Sequence, residues 1–169
     1  MVILIMGVSG CGKTTVGELT AQALGWPYLE ADSFHPEENL RKMSGGTPLT
    51  DEDRWPWLEA IRQKIAAFQR RGESAVFTCS ALKESYRQFL GEGLGKPIEW
   101  VYLKGSYETI RERMASRKGH YFKSDMLKSQ FDALEEPDYG LILSIDDSPE
   151  QLSRAIVNHL KSPKEGYSS

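Results

Sequence analysis

The sequence predicts an α/β fold with a five-stranded parallel sheet and helices on both faces. Three observations lead there. Short apolar, β-branched runs recur along the 169 residues. Stretches with apolar residues at helical spacing separate them, and a glycine-rich turn joins the first run to the first helical stretch.

Residues 2–6 are apolar throughout and end at Gly7, which suits a strand buried on both faces in the middle of a sheet. A helix is expected over 13–24, stopped by Gly25, and a second strand over 27–30, with Asp32 just past its end. The chain then turns polar. His35-Pro36 followed by Glu37-Glu38 starts a short helix that ends near Met43, before Ser44-Gly45-Gly46, and 47–53 reads as a loop. Trp57, Leu58, Ile61, Ile65 and Phe68 recur at helical spacing and predict a helix over 54–71, closed near Gly72. Further strands are expected over 75–79, 98–103 and 141–145, and further helices over 82–90, 107–117, 125–134 and 149–160. Residues 118–124 form a basic, aromatic loop without a period. The length suits one domain over 1–161, with 32–71 inserted between strands two and three and 162–169 as a flexible tail.

Composition removes several function classes. With 21 basic and 24 acidic side chains the net charge is −3, which argues against a nucleic-acid partner. Residues 1–6 are about a third of a membrane span with no basic stretch before them, so no membrane partner is expected and the chain reads as cytoplasmic. Cys11 and Cys79 are too few for a disulfide scaffold, and neither has a neighbouring Cys or His at zinc-ligand spacing.

Gly7-Val8-Ser9-Gly10-Cys11-Gly12-Lys13-Thr14 matches the Walker A pattern in full, between a predicted strand and a predicted helix. Its glycines let consecutive backbone N–H groups converge on phosphate oxygens at the positive end of the helix, which makes the segment a P-loop for ATP. Lys13 adds a charge near the β- and γ-phosphates, the Thr14 hydroxyl is placed for Mg2+, and Thr15 reaches toward the α-phosphate. Cys11 reads as a small filler whose backbone does the binding.

Strand three offers no acid of the Walker B kind, since 75–80 reads AVFTCS. Asp32 takes its place as candidate: across the crevice at the strand ends it can hold a magnesium-bound water and accept the proton of an incoming hydroxyl. The alternative role for Asp32 is a turn cap.

Several stretches together resemble one family: Met6-Gly7-Val8-Ser9-Gly10, Asp32-x-x-His35-Pro36, Asn39-x-x-Lys42-Met43, Gly46-x-Pro48-Leu49-x-Asp51, Asp53-Arg54-x-Pro56-Trp57-Leu58, Cys79-Ser80-Ala81-Leu82-Lys83, Tyr102-Leu103-Lys104-Gly105 and Arg117-Lys118-Gly119-His120. In order and spacing over 2–137 they look like the thermoresistant-type gluconate kinases. The resemblance implies transfer of the ATP γ-phosphate to D-gluconate to give 6-phospho-D-gluconate, on a nucleoside-monophosphate-kinase-like P-loop fold, often as a homodimer. This chain departs from the family in the connection before the last strand, shortened to Asp138-Tyr139-Gly140, and in Ala31 where many relatives place glycine.

A sugar acid needs a cationic clamp and hydrogen-bonding groups, and Asp32, His35, Lys42 and Arg54 are the candidates in the inserted segment. Arg54 suits the carboxylate through a bidentate guanidinium; its other reading is a surface ion pair with Asp51 or Glu52. His35 bonds either an acceptor hydroxyl or its own local backbone. Trp55 and Trp57 read as packing groups; Lys83 and Arg87, one turn apart, read as a solvated helix face, the other reading being contact with the acceptor. By resemblance to the nucleotide kinases, Arg113 stacks on adenine, Arg117 meets the transferring phosphate, and 117–124 forms a small lid. The rival readings are the same chemistry on shikimate, a nucleotide or another acceptor, and a nucleotide-binding regulatory module.

Overall fold

The computed structural model describes residues 1–116 and 124–162, with only the backbone of Ser124. In chain order the elements are β1 (Val2–Met6), α1 (Lys13–Leu24), β2 (Tyr28–Glu30), a 3₁₀ turn (Ala31–Phe34), α2 (Glu37–Ser44), α3 (Asp51–Arg70), β3 (Ala75–Thr78), α4 (Glu84–Gly91), β4 (Glu99–Lys104), α5 (Tyr107–Ala115), α6 (Ser124–Ala133), β5 (Leu141–Ser144) and α7 (Pro149–Lys161). The five strands pair in parallel in the order β2-β3-β1-β4-β5. β1 therefore sits at the centre, where the order reverses, and the crevice beyond its carboxyl end is the natural ligand site of such a sheet.

The alternation of side chains along β1 explains why the sheet is covered twice. Val2, Leu4 and Met6 pack with Trp57, Leu58, Ile61 and Ile65 of α3 and Leu90 of α4. Ile3 and Ile5 face the other way, onto Val16 and Ala21 of α1, Ile110 of α5, and Leu152 and Ile156 of α7. Every side chain of β1 is at most 1 % exposed, so cutting Leu4 to alanine would leave a cavity costing about 2–5 kcal/mol. Among the described residues no helix is long and apolar enough to cross a membrane.

Two helix starts differ from the sequence-based expectation by more than one residue. α3 starts at Asp51, three residues before the expected 54. The Thr50 hydroxyl accepts from the Asp53 N–H at 3.2 Å while the Asp53 carboxylate accepts from the Thr50 N–H at 2.9 Å, a reciprocal cap with aspartate in the usual glutamate position. α4 starts at Glu84, two residues after the expected 82. Ala81 holds a left-handed φ of 43° and Lys83 is extended, so the chain is still turning there.

The solvated face expected for Arg87 is also corrected. Its side chain is buried, donating from Nη1 to the carbonyls of Ala81 (2.7 Å) and Leu82 (3.1 Å) and from Nη2 to that of Glu135 (2.7 Å). Nε donates to the Tyr139 hydroxyl at 2.8 Å, and the Glu84 carboxylate pairs with the guanidinium. A buried guanidinium is tolerable because nearly all its donors are matched in this way. The shortened connection before β5 thus has an anchor of its own in Tyr139.

Candidate active site

The P-loop follows β1 directly, and its shape is a backbone property. A Cβ on Gly7 would lie 2.7 Å from Cys11 Sγ and 3.0 Å from the Leu103 carbonyl, so strand β4 and the loop approach too closely for any side chain. Gly12 caps α1 in the left-handed region at φ 97°, which aims the first N–H groups of the helix back into the loop. Cys11 is buried beneath Gly7, in keeping with a filler role. Lys13 lies across the loop and donates from Nζ to the carbonyls of Gly7 (2.8 Å) and Val8 (3.0 Å). The Ser9 N–H donates to Gln130 Oε1 at 2.7 Å, and Gln130 Nε2 returns a bond to the Ser9 hydroxyl at 2.8 Å, so α6 is latched to the cradle.

Glu30, which sequence reasoning passed over, is the first carboxylate that Thr14 meets. The Thr14 hydroxyl lies 3.1 and 3.2 Å from its two oxygens. The Tyr28 hydroxyl donates to the same carboxylate at 2.8 Å and shares a bond with the Thr78 hydroxyl at 2.9 Å. Burial above all pushes the Tyr28 phenol up to about 12, so it stays a neutral donor that fixes Glu30. A hydroxyl and a carboxylate oxygen are the hard donors magnesium selects, and the ion usually takes few protein ligands, completing its shell with phosphates and water. The residues therefore fit Mg2+.

Asp32 stands in the 3₁₀ turn after β2, and its side chain lines a cavity of about 300 Å³ together with Ser9, Lys13, His35 and Arg54. Trp57 of α3 fixes this wall by donating from Nε1 to the Ala31 carbonyl at 2.8 Å. His35 stacks on Trp57 with ring centroids 4.1 Å apart. The Asn39 amide donates toward His35 Nδ1 at 3.2 Å and to the Asp53 carbonyl at 2.9 Å, which leaves the imidazole proton on Nε2. Burial lowers the His35 pKa, with Arg54 adding to the effect and Asp32 opposing it, so the ring is a neutral hydrogen-bonding group at pH 7. Arg54 donates to the Leu49 carbonyl at 2.6 Å and makes no hydrogen bond to Asp51 or Glu52, so its guanidinium faces the cavity.

The predicted residues do not all converge. Lys42 is turned away: its ammonium is held by both Asp53 oxygens, at 2.8 and 2.9 Å, and it does not line the cavity. It braces the α3 cap instead. Arg113 reaches the Ile145 carbonyl just past β5, at 2.7 Å. Thr15 is exposed on α1. Arg117 and the expected lid over 117–124 lie outside the described residues, apart from the backbone of Ser124, and so does the expected tail beyond Ser162. Trp55 packs against Tyr86 and Phe89 as expected, whereas Trp57 both packs and walls the cavity. Glu30 was legible as an acid two residues before Asp32 at a strand end, but nothing local marks Gln130.

Comparison with known proteins agrees with this geometry. A family model described as an AAA domain matches residues 2–137. The chain is 39% identical over 167 residues to the thermoresistant gluconokinase of Escherichia coli (strain K12), covering 96% of this chain and 95% of that protein. It is 41% identical over 162 residues to the gluconokinase of Gluconobacter oxydans (strain 621H), covering 94% and 90%. Among solved structures, a gluconokinase from Sinorhizobium meliloti 1021 superposes with a TM-score of 0.84 at 42% identity, covering 94% of this chain and 91% of that one.

Proposed function

The chain belongs to the gluconokinase family of P-loop kinases, and from that premise we propose how its residues divide the work of phosphorylating D-gluconate. It is an ATP-dependent sugar-acid kinase, and the observation that carries the division of labour is one cavity walled by both the cradle and Asp32. The loop N–H groups and Lys13 hold the triphosphate and stabilise the charge that builds on the transferring group. Asp32 accepts the proton of the C6 hydroxyl as its oxygen attacks the γ-phosphorus and ADP departs, giving 6-phospho-D-gluconate. His35 Nε2–H donates to an acceptor hydroxyl, and Arg54 meets the carboxylate. Thr14 would hold magnesium directly, with Glu30 and Asp32 holding it through water, and the ion would supply positive charge to neutralise the triphosphate. Arg113 is assigned to adenine and Arg117 to the transferring phosphate on the resemblance to the nucleotide kinases. The homodimer rests on the family resemblance, the single domain on chain length and the cytoplasmic reading on composition; light scattering giving twice the 19.1 kDa chain mass would support the dimer.

ADP release with Mg2+ and ATP, measured with D-gluconate, shikimate, AMP and no acceptor, tests the reading. Release is expected with gluconate only, and Asp32→Asn should cut it by about 10²–10⁴-fold. In the same assay Glu30→Gln should demand more magnesium for half-maximal rate. Full activity of Asp32→Asn would overturn the proposed base, and release with another acceptor would overturn the substrate.

A further inference from the structure

The cavity holding Asp32 does not end at Arg54. It opens into a second cavity of about 430 Å³ that shares Arg54, Trp57, Ser80 and Gln130 as walls and adds Asp51, Lys83 and Tyr86. Among the described residues its charged lining is two cations, Arg54 and Lys83, and one anion, Asp51. Arg54 Cζ and Lys83 Nζ each lie 5.6 Å from the centroid of the same Tyr86 ring, so the two cations share one aromatic support. Asp51 is already committed: it accepts a short bond from the Tyr86 hydroxyl at 2.5 Å and longer ones from Lys83 at 3.2 and 3.4 Å. The Tyr86 bond first, and then Lys83, hold the Asp51 carboxyl below its ordinary range, and Asp51 in turn keeps Lys83 charged. One positive charge is therefore left over in a pocket that adjoins the phosphoryl-transfer end, and an ammonium with three donors has capacity beyond Asp51.

We propose that this second cavity is the acid end of the acceptor site and that Lys83, alongside Arg54, reads the acceptor's carboxylate. The inference rests on the gluconokinase reading above. A six-carbon aldonate with its C6 hydroxyl at Asp32 carries its carboxylate at the opposite end of the chain, and the lining supplies one net positive charge to match it. Asp51 and Tyr86 are positioning residues that keep the Lys83 ammonium over the pocket. Lys83 sits in the extended residue before α4, with a side chain 35% exposed, so its replacement removes a charge without opening the core.

The test compares steady-state kinetics on D-gluconate and on its neutral amide, D-gluconamide, for the unaltered enzyme, Lys83→Met and Lys83→Arg. Loss of one charge-assisted contact should raise the gluconate KM by about 10- to 100-fold in Lys83→Met. The KM for ATP and for gluconamide should stay unchanged, and Lys83→Arg should recover most of the loss. An unchanged gluconate KM in Lys83→Met overturns the inference, as does an equal rise for gluconate and gluconamide. Failure of the unaltered enzyme to turn over gluconate overturns the parent reading and this one with it.

Discussion

The two halves of the site are built by different means. The phosphate cradle is eight consecutive residues held in shape by their own backbone, by the strand before them and by the helix after them. The acceptor pocket takes Asp32 from a 3₁₀ turn, Arg54 and Trp57 from α3, Ser80 from the turn before α4 and Gln130 from α6. The cradle needs few tertiary contacts to exist, and its side chains are spare for chemistry. The pocket exists only while distant segments are pinned together, so some of its charged residues serve the pinning. A substitution in the cradle should therefore cost turnover with little stability, and one in the pocket's supports should cost stability with turnover following.

Lys13→Met should produce the largest effect. Removing a charge aimed at the transferring group in a water-poor site costs about 10²–10³-fold in kcat. Among the described residues Lys13 bonds to carbonyls of its own loop, so thermal unfolding should barely move. Stopped-time ADP release and a melting curve on the same sample decide it. A large fall in melting temperature would break the comparison, because the cradle would then depend on its side chain for shape.

Arg87→Met should reverse the pattern. It strips the Ala81 and Glu135 carbonyls of their side-chain donor, leaves the Leu82 carbonyl with the Glu135 N–H alone, and, among the described residues, leaves the Glu84 and Tyr139 side chains with each other. Breaking such a buried charged cluster from one side costs about 3–5 kcal/mol, read as a fall in the denaturant midpoint. Tyr139→Phe removes a single hydroxyl and should cost about 1 kcal/mol. Because the strained turn at Ala81 carries Ser80 on the pocket wall, the gluconate KM should rise in Arg87→Met while the ATP KM stays near its original value.

The same contrast explains what was legible in the sequence. The alternation of strand and helix, the P-loop and the position of Asp32 follow from local pattern: an apolar run, a glycine motif, an acid at a strand end. The start of α3 was also local, but its cap uses Asp53 where the familiar pattern has glutamate. Arg87 was not legible, because its partners Glu135 and Tyr139 are about fifty positions away and a helical arginine beside Lys83 looks like a solvated face. Lys42 misled for the opposite reason. A lysine in the acceptor segment suits an acid substrate equally well whether or not Asp53 claims it, and only the fold puts that carboxylate 2.8 Å away.

The smallest effect belongs to that Lys42–Asp53 pair, and its sign is fixed by proton binding. Lys42 first, and then the Thr50 N–H, bring the Asp53 carboxyl from its ordinary 3.8 to about 2. Between those values the unfolded chain binds the proton more readily than the folded one, so the pair's stabilisation is complete above the ordinary value and fades as pH falls toward about 2. Lys42→Met should lower the melting temperature slightly at pH 7 and flatten its decline on the acid side, with no change in the gluconate KM at neutral pH. The ion pair is partly open to water, so added salt should shrink the pH 7 difference. A rise in gluconate KM without any loss of stability would place Lys42 back among the residues that touch the substrate, and would mean that the ammonium leaves Asp53 when the acceptor binds.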